Sequence, residues 1–161
     1  MSSKGPKPAS AECRLAELGI HLTPAPRPFG AYAESVRTGN LLYLSGVLPA
    51  IDNEPKFIGR LGKEYNVEQG REAARIAALN VLSAARNHLG SLDKVTRVIR
   101  LAAYLATEGD FFEQPKVADA ASELLRDVFG EDQLPVRMVL GVASLPLGVP
   151  VVLEVLFEVE A

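Results

Sequence analysis

The stretch from Val67 to Leu89 constrains the chain more than any other. Ala73, Ala74, Ala77, Ala78, Val81, Leu82 and Ala85 recur at spacings of three and four, which puts them on one face of an α-helix. Alanine cannot hold a neighbour at a distance, so a face made of it must lie close against a broad surface. A β-sheet offers that surface. Gly90 and Ser91 end the helix, and the rest of the chain is expected to supply the strands.

It does so in a definite order. Phe29 to Val36 and Leu41 to Gly46 have the pattern of a β-hairpin, with Arg37 to Asn40 as its turn. Pro49 to Glu64 holds two prolines and two glycines and is expected to be a long loop, with one short strand at Lys56 to Ile58. After the helix, Val95 to Leu105 is rich in β-branched and apolar residues, as a central strand would be. Phe111 to Phe129 is a second helix with Val117, Ala120, Ala121, Leu124, Leu125 and Val128 on one stripe. Pro115 falls in its first turn, where proline is tolerated, and Gly130 stops it. Met138 to Ala143 and Val151 to Val159 close the chain. In the last of these, Val151, Leu153, Val155, Phe157 and Val159 alternate with Val152, Glu154, Leu156 and Glu158. The order β-β-(β)-α-β-α-β-β describes an α/β fold, a mixed sheet with two helices on one face. Ahead of it, Ser10 to Gly19 reads as a short helix capped by Ser10, and Thr23 to Pro28 as an extended connector with three prolines. Residues 1–28 are thus expected to form an N-terminal extension to a domain of residues 29–161.

Composition narrows the chemistry. The 161 residues carry 17 Lys and Arg against 20 Asp and Glu, a net charge of −3, so no global positive field draws the chain to nucleic acid or anionic lipid. The start of the chain lacks the apolar core of a secretory signal, and the longest apolar run, Leu145 to Leu153, is too short for a bilayer span of ~20 residues. One cysteine (Cys13) excludes an internal disulfide and suits a reducing cytoplasm. One cysteine with two histidines (His21, His88) is too few for the usual zinc sites.

Most polar features have structural readings. His88, at the end of a helix, balances the helix dipole; Cys13 reads as a partly buried helical thiol. The glycine turns at Gly39 and at Gly59 to Gly62 lack the strand-to-helix setting of a phosphate loop. Glu12 with Glu17, and Glu158 with Glu160, read as solvated faces. Arg137 is different, because it leads the otherwise apolar strand Met138 to Ala143. A lone arginine there commonly serves structure, but its planar fork of donors also suits bidentate capture of a carboxylate in a water-poor cleft.

Several segments together resemble the reactive-intermediate deaminase family (RidA, also called YjgF). They are Phe29-Gly-Ala-Tyr32, Gly39-Asn-Leu-Leu-Tyr-Leu-Ser45-Gly46, Ala78-Leu-Asn80-Val, Pro135-Val-Arg137 and Val142-Ala-Ser-Leu-Pro146. The resemblance runs from about Phe29 to Val159, and Gln114-Pro-Lys-Val with Leu145-Pro-Leu-Gly148 is similar to a longer branch that carries an N-terminal extension. It implies a chorismate-mutase-like fold assembled as a homotrimer, with clefts between subunits that bind a small carboxylate, a 2-imino or 2-keto acid. It further implies that Arg137 holds the carboxylate while Tyr32, Ser45 and the amide of Val139 complete the cleft, with Gly46 allowing close approach. Water would then attack the imine and release ammonia and a 2-keto acid, with no metal or organic cofactor.

One position departs from the family pattern. Members active on imines usually carry a water-holding glutamate six residues after the proline of Leu-Pro, and counting from Pro146 gives Val152. Valine can neither accept a proton nor orient water. Glu154 lies on the same strand face, ~6.6 Å further along, and would serve only if the turn at Gly148 to Pro150 shifted the register. An imine hydrolase and a non-catalytic trimer that binds small carboxylates are both compatible with this set. A ribonuclease or translation inhibitor, a role reported for some members, is disfavoured by the acidic balance and the lack of a basic stripe interleaved with aromatics.

Overall fold

The alanine stripe does what its spacing requires. In the computed structural model, which describes residues 9–161, Val67–Leu89 is one uninterrupted helix (α2), and Ala73, Ala74, Ala77, Ala78 and Ala85 are buried against the sheet and the neighbouring helix. Asn66 caps it reciprocally with Gln69, and Gly90 closes it in the left-handed conformation. The first eight residues, where the extension begins and where no secretory signal is read, lie outside the described residues.

Five strands form one sheet in the order β1-β2-β7-β5-β6. These are β1 (Ser35–Thr38), β2 (Leu41–Leu44), β5 (Val95–Ala106), β6 (Val136–Val142) and β7 (Val151–Val159). All neighbours are antiparallel except β5 and β6. Helix α2 lies over β7, and α3 (Gln114–Phe129) lies beside it over β5 and β6. Phe157 sits at the centre of the core with no exposed surface and packs its ring 5.7 Å from that of Phe129. Truncating such a side chain to alanine costs about 3–5 kcal/mol. Among the described residues, no helix lies on the other face of the sheet. Val36, Tyr43, Val136, Met138 and Leu140 are all at least 45% exposed there.

Four local expectations are corrected. Residues 29–34 are bends rather than strand, because the Tyr32 amide donates to Gly30 and the Phe29 amide to the Tyr32 hydroxyl, which folds the segment on itself. No strand forms at Lys56 to Ile58, where the Tyr65 hydroxyl takes the hydrogen bonds of Ile58. A small hairpin forms just before it instead, β3 (Ala50–Ile51) with β4 (Glu54–Pro55), turned by Asp52 and Asn53 at φ 53° and 63°. Cys13 is exposed, since helix α1 (Ala11–Glu17) turns Ala11 and Leu15 inward and the thiol away. Glu12 and Glu158 are not freely solvated. Glu12 accepts from Arg86 at 2.6 Å and from the Leu92 amide, and Glu158 accepts from Asn40 and Thr96.

Within residues 1–28, α1 is tied to the body. Leu15 is 1% exposed in the main core, and the Glu12 contacts join α1 to the end of α2.

Candidate functional site

Tyr32, Ser45, Gly46 and Val152 meet at one end of the sheet. With Phe29, Leu48, Pro146 and Leu147 they line a hollow of about 370 Å³. The sequence brings them there by three routes. Ser45 and Gly46 follow directly from β2. Tyr32 is held over them by the Gly30 to Tyr32 turn, and Val152 comes from the uncovered face of β7, next to β2. Gly46 is needed on steric grounds: a Cβ there would stand 2.9 Å from Val152 Cγ1.

The polar atoms of the hollow are half used. The Tyr32 hydroxyl accepts from the Phe29 amide at 3.1 Å, so its own O–H remains to donate. The Ser45 hydroxyl donates to the Ala33 carbonyl at 2.6 Å, so its oxygen remains to accept. Behind the hollow, Asn80 is 4% exposed on α2 and donates to the carbonyls of Leu48 and Ala50 at 2.9 and 2.8 Å. It thereby pins the loop that follows Gly46.

Arg137 is not in this hollow. It stands near the start of β6, at the sheet's edge, on the face covered by α3, since its register partner Leu101 is a core residue. Its Nη1 donates to Asp119 at 2.6 Å and to Ser122 at 3.1 Å, and the side chain keeps 26% exposure. Among the described residues, Nε and Nη2 carry no hydrogen bond, which leaves one edge of the fork open. Val139 follows two residues on, also facing α3.

Glu154 lies on the uncovered face two residues beyond Val152, outside the hollow, and accepts from Arg100 at 2.7 Å. The last turn keeps its register: Val152 pairs with Tyr104 and Glu154 with Ala102. Val152, not Glu154, is therefore the residue at the hollow.

The family model described as "YjgF/chorismate mutase-like, putative endoribonuclease" matches residues 12–159. This chain belongs to the YjgF/RidA family. Protein TCP17 of Trypanosoma cruzi is 40% identical over 145 residues, 89% of this chain and 91% of the relative. A 2-iminobutanoate/2-iminopropanoate deaminase of Dermatophagoides farinae is 28% identical over 138 residues, 84% of this chain and 91% of that one. Among solved structures, the Agrobacterium tumefaciens protein Atu1372, of unknown function, superposes with a TM-score of 0.85 at 35% identity, covering 93% of this chain and 92% of its own.

Four residues of this YjgF/RidA chain matter to the site and were not singled out from sequence. Asp119 and Ser122 share a face of α3 at spacing i, i+3 and fix the guanidinium; that polar pair beside the apolar stripe was the available signal. Asn80 was visible only as part of a motif. Glu34 borders a recess that continues inward from the hollow with Tyr32, Ser45 and Asn80. Burial pushes its carboxyl above the ordinary range, partly offset by the charge of His88 and a hydrogen bond from Asn87. His88 itself is bonded through Nδ1 to the Ser35 hydroxyl at 2.8 Å.

Proposed function

We propose that this YjgF/RidA member is a homotrimeric hydrolase of 2-imino acids, each site combining the hollow of one copy with Arg137 of another. The observation that carries this reading is the separation of the two halves. The open guanidinium edge lies on the helix-covered face of β6, whereas Val152 of the hollow lies on the uncovered face of β7, two strands away, and this separation supports a site shared between copies. The uncovered apolar face, with Val36, Tyr43, Met138 and Leu140, gives the surface through which copies would meet. The Dermatophagoides relative's name supports the reaction class.

In this mechanism the substrate carboxylate takes the Nε and Nη2 donors of Arg137. The Tyr32 O–H donates a hydrogen bond to the reacting C=N group, and the Ser45 oxygen accepts a hydrogen bond from the attacking water. A C–O bond forms at the imine carbon as one water proton passes to the substrate nitrogen. The resulting hydroxyl then gives its proton to the same nitrogen while C=O forms and the C–N bond breaks, which releases ammonia and the 2-keto acid. Among the described residues no carboxylate lines the hollow itself to help the water, because Val152 occupies that position. A second reading rests on that same residue, namely a trimer that binds small carboxylates without turning them over. The ribonuclease role contained in the family description gains nothing here, since the face left open is apolar rather than basic.

A coupled assay that follows decay of 2-aminoacrylate or 2-iminobutanoate separates the two readings. Acceleration over buffer at micromolar protein is expected; none, together with a raised melting temperature in a 2-keto acid, would leave the binding trimer.

A further inference from the structure

Among the described residues no charged side chain lines the hollow itself, and that apolar lining bears on what it takes. We infer that it is a side-chain subsite for 2-imino and 2-keto acids with branched aliphatic or aromatic groups. This deepens the carboxylate-site reading given above and rests on it. Phe29, Tyr32, Leu48, Pro146, Leu147 and Val152 provide its walls. Leu147 is 52% exposed and stands at φ 58°, a left-handed conformation that a leucine rarely adopts. Local folding energy does not favour an exposed, strained leucine, whereas an apolar wall for a ligand requires one. The short helical turn at Pro146–Gly148 presents it beside Val152, where a glutamate would have put a charge.

Size and charge select the same occupant. A volume of about 370 Å³ is near the lower end of small-molecule sites. A methyl or ethyl side chain would leave most of it to water. An acidic or basic side chain would lose its hydration and find, in the hollow itself, the Tyr32 hydroxyl and the Ser45 oxygen in return, since Arg27 and Glu34 line only the recess behind it. The carboxylate common to all these acids is served by Arg137 in the other half of the site, so discrimination falls to the hollow.

Binding of pyruvate, 2-oxobutanoate, 4-methyl-2-oxopentanoate, phenylpyruvate and 2-oxoglutarate to the full chain, measured by titration calorimetry, tests this. Affinity is expected to rise by up to about fourfold per buried methylene along the apolar series, the equivalent of ~0.8 kcal/mol, with 2-oxoglutarate weakest. Leu147→Asn keeps a residue that tolerates the left-handed conformation and removes the wall. It should flatten the series, with a circular dichroism melt confirming the fold. Equal affinity across the series, or a preference for 2-oxoglutarate, overturns the subsite. If that happens while binding still needs Arg137, the carboxylate-site reading stands. Silence towards every acid removes both.

Discussion

Arg137 and the Tyr32 hollow sit on opposite faces of one sheet and are held by different means. Arg137 is fixed by directional bonds to two side chains of α3, with part of its fork left over. The hollow is fixed by steric fit: Gly46 against Val152, a buried asparagine under the loop, and a leucine held in a strained turn. One half is a charge with spare donors, the other a shape with one donor and one acceptor. The division suits 2-imino acids, whose constant part is charged and whose variable part differs in size and polarity. It also means that the halves fail in different ways when altered.

The largest effect is expected at the charged half. Arg137→Ala should weaken 2-keto acid binding by about 10- to 150-fold, the range for losing hydrogen bonds to an ionised group, with turnover falling at least as far. Asp119→Ala should act less strongly, since it frees the guanidinium without deleting it. If Arg137→Ala leaves calorimetric affinity unchanged, the arginine is a strut between β6 and α3 and the comparison between halves collapses.

Mixing tests whether the halves come from different copies. Arg137→Ala and Tyr32→Ala proteins, each impaired alone, should regain activity when unfolded together and refolded. Random assembly gives roughly a quarter of interfaces with both residues intact. No recovery, with trimers shown by light scattering, would place both residues in one copy's site.

The shape-based half was harder to read from sequence than the charged one. Periodicity located α2 and β7 to the residue, because each buries one face of a long regular element. The departure at Val152 came instead from the family resemblance, by counting from Pro146, and the turn between Pro146 and Val151 keeps the register that the count assumes. Periodicity missed the bends at residues 29–34, where a tyrosine hydroxyl competes for a backbone amide, and the Asp52–Asn53 hairpin, whose signal is two residues long. Asn80 shows why the supports of a site stay hidden: as a polar residue on an alanine face it resembles a gap in the stripe. Only the fold reveals the two carbonyls it serves.

Asn80→Ala should therefore cost about 1–3 kcal/mol, the penalty for leaving buried carbonyls without a donor. In a chain of this size that lowers the melting temperature by roughly 2–12 °C. If the loop after Gly46 moves as well, acids with bulky side chains should lose more affinity than pyruvate. A stability change with no such selectivity would separate the asparagine from the hollow.

The smallest effect concerns the recess behind the hollow, where Glu34 lies beside Tyr32 and Ser45 and faces Asn87, His88 and Arg27. Burial raises its carboxyl above the ordinary value of ~4.3, against the opposing pull of His88 and Asn87. The folded state therefore holds this proton more tightly than the unfolded chain, and stability falls as pH rises through the interval between the two values. Glu34→Gln imitates the neutral form at every pH. The difference in melting temperature between variant and parent should thus move in the variant's favour between pH 4 and 7. Because water still screens a half-buried carboxylate, the effect should stay below ~1 kcal/mol, or less than about 2–4 °C. Comparing the two proteins at each pH cancels the other titrating groups. A difference that moves the opposite way would mean that His88 attracts the carboxylate more than burial repels it, and that the recess favours a charged Glu34 next to Tyr32 and Ser45.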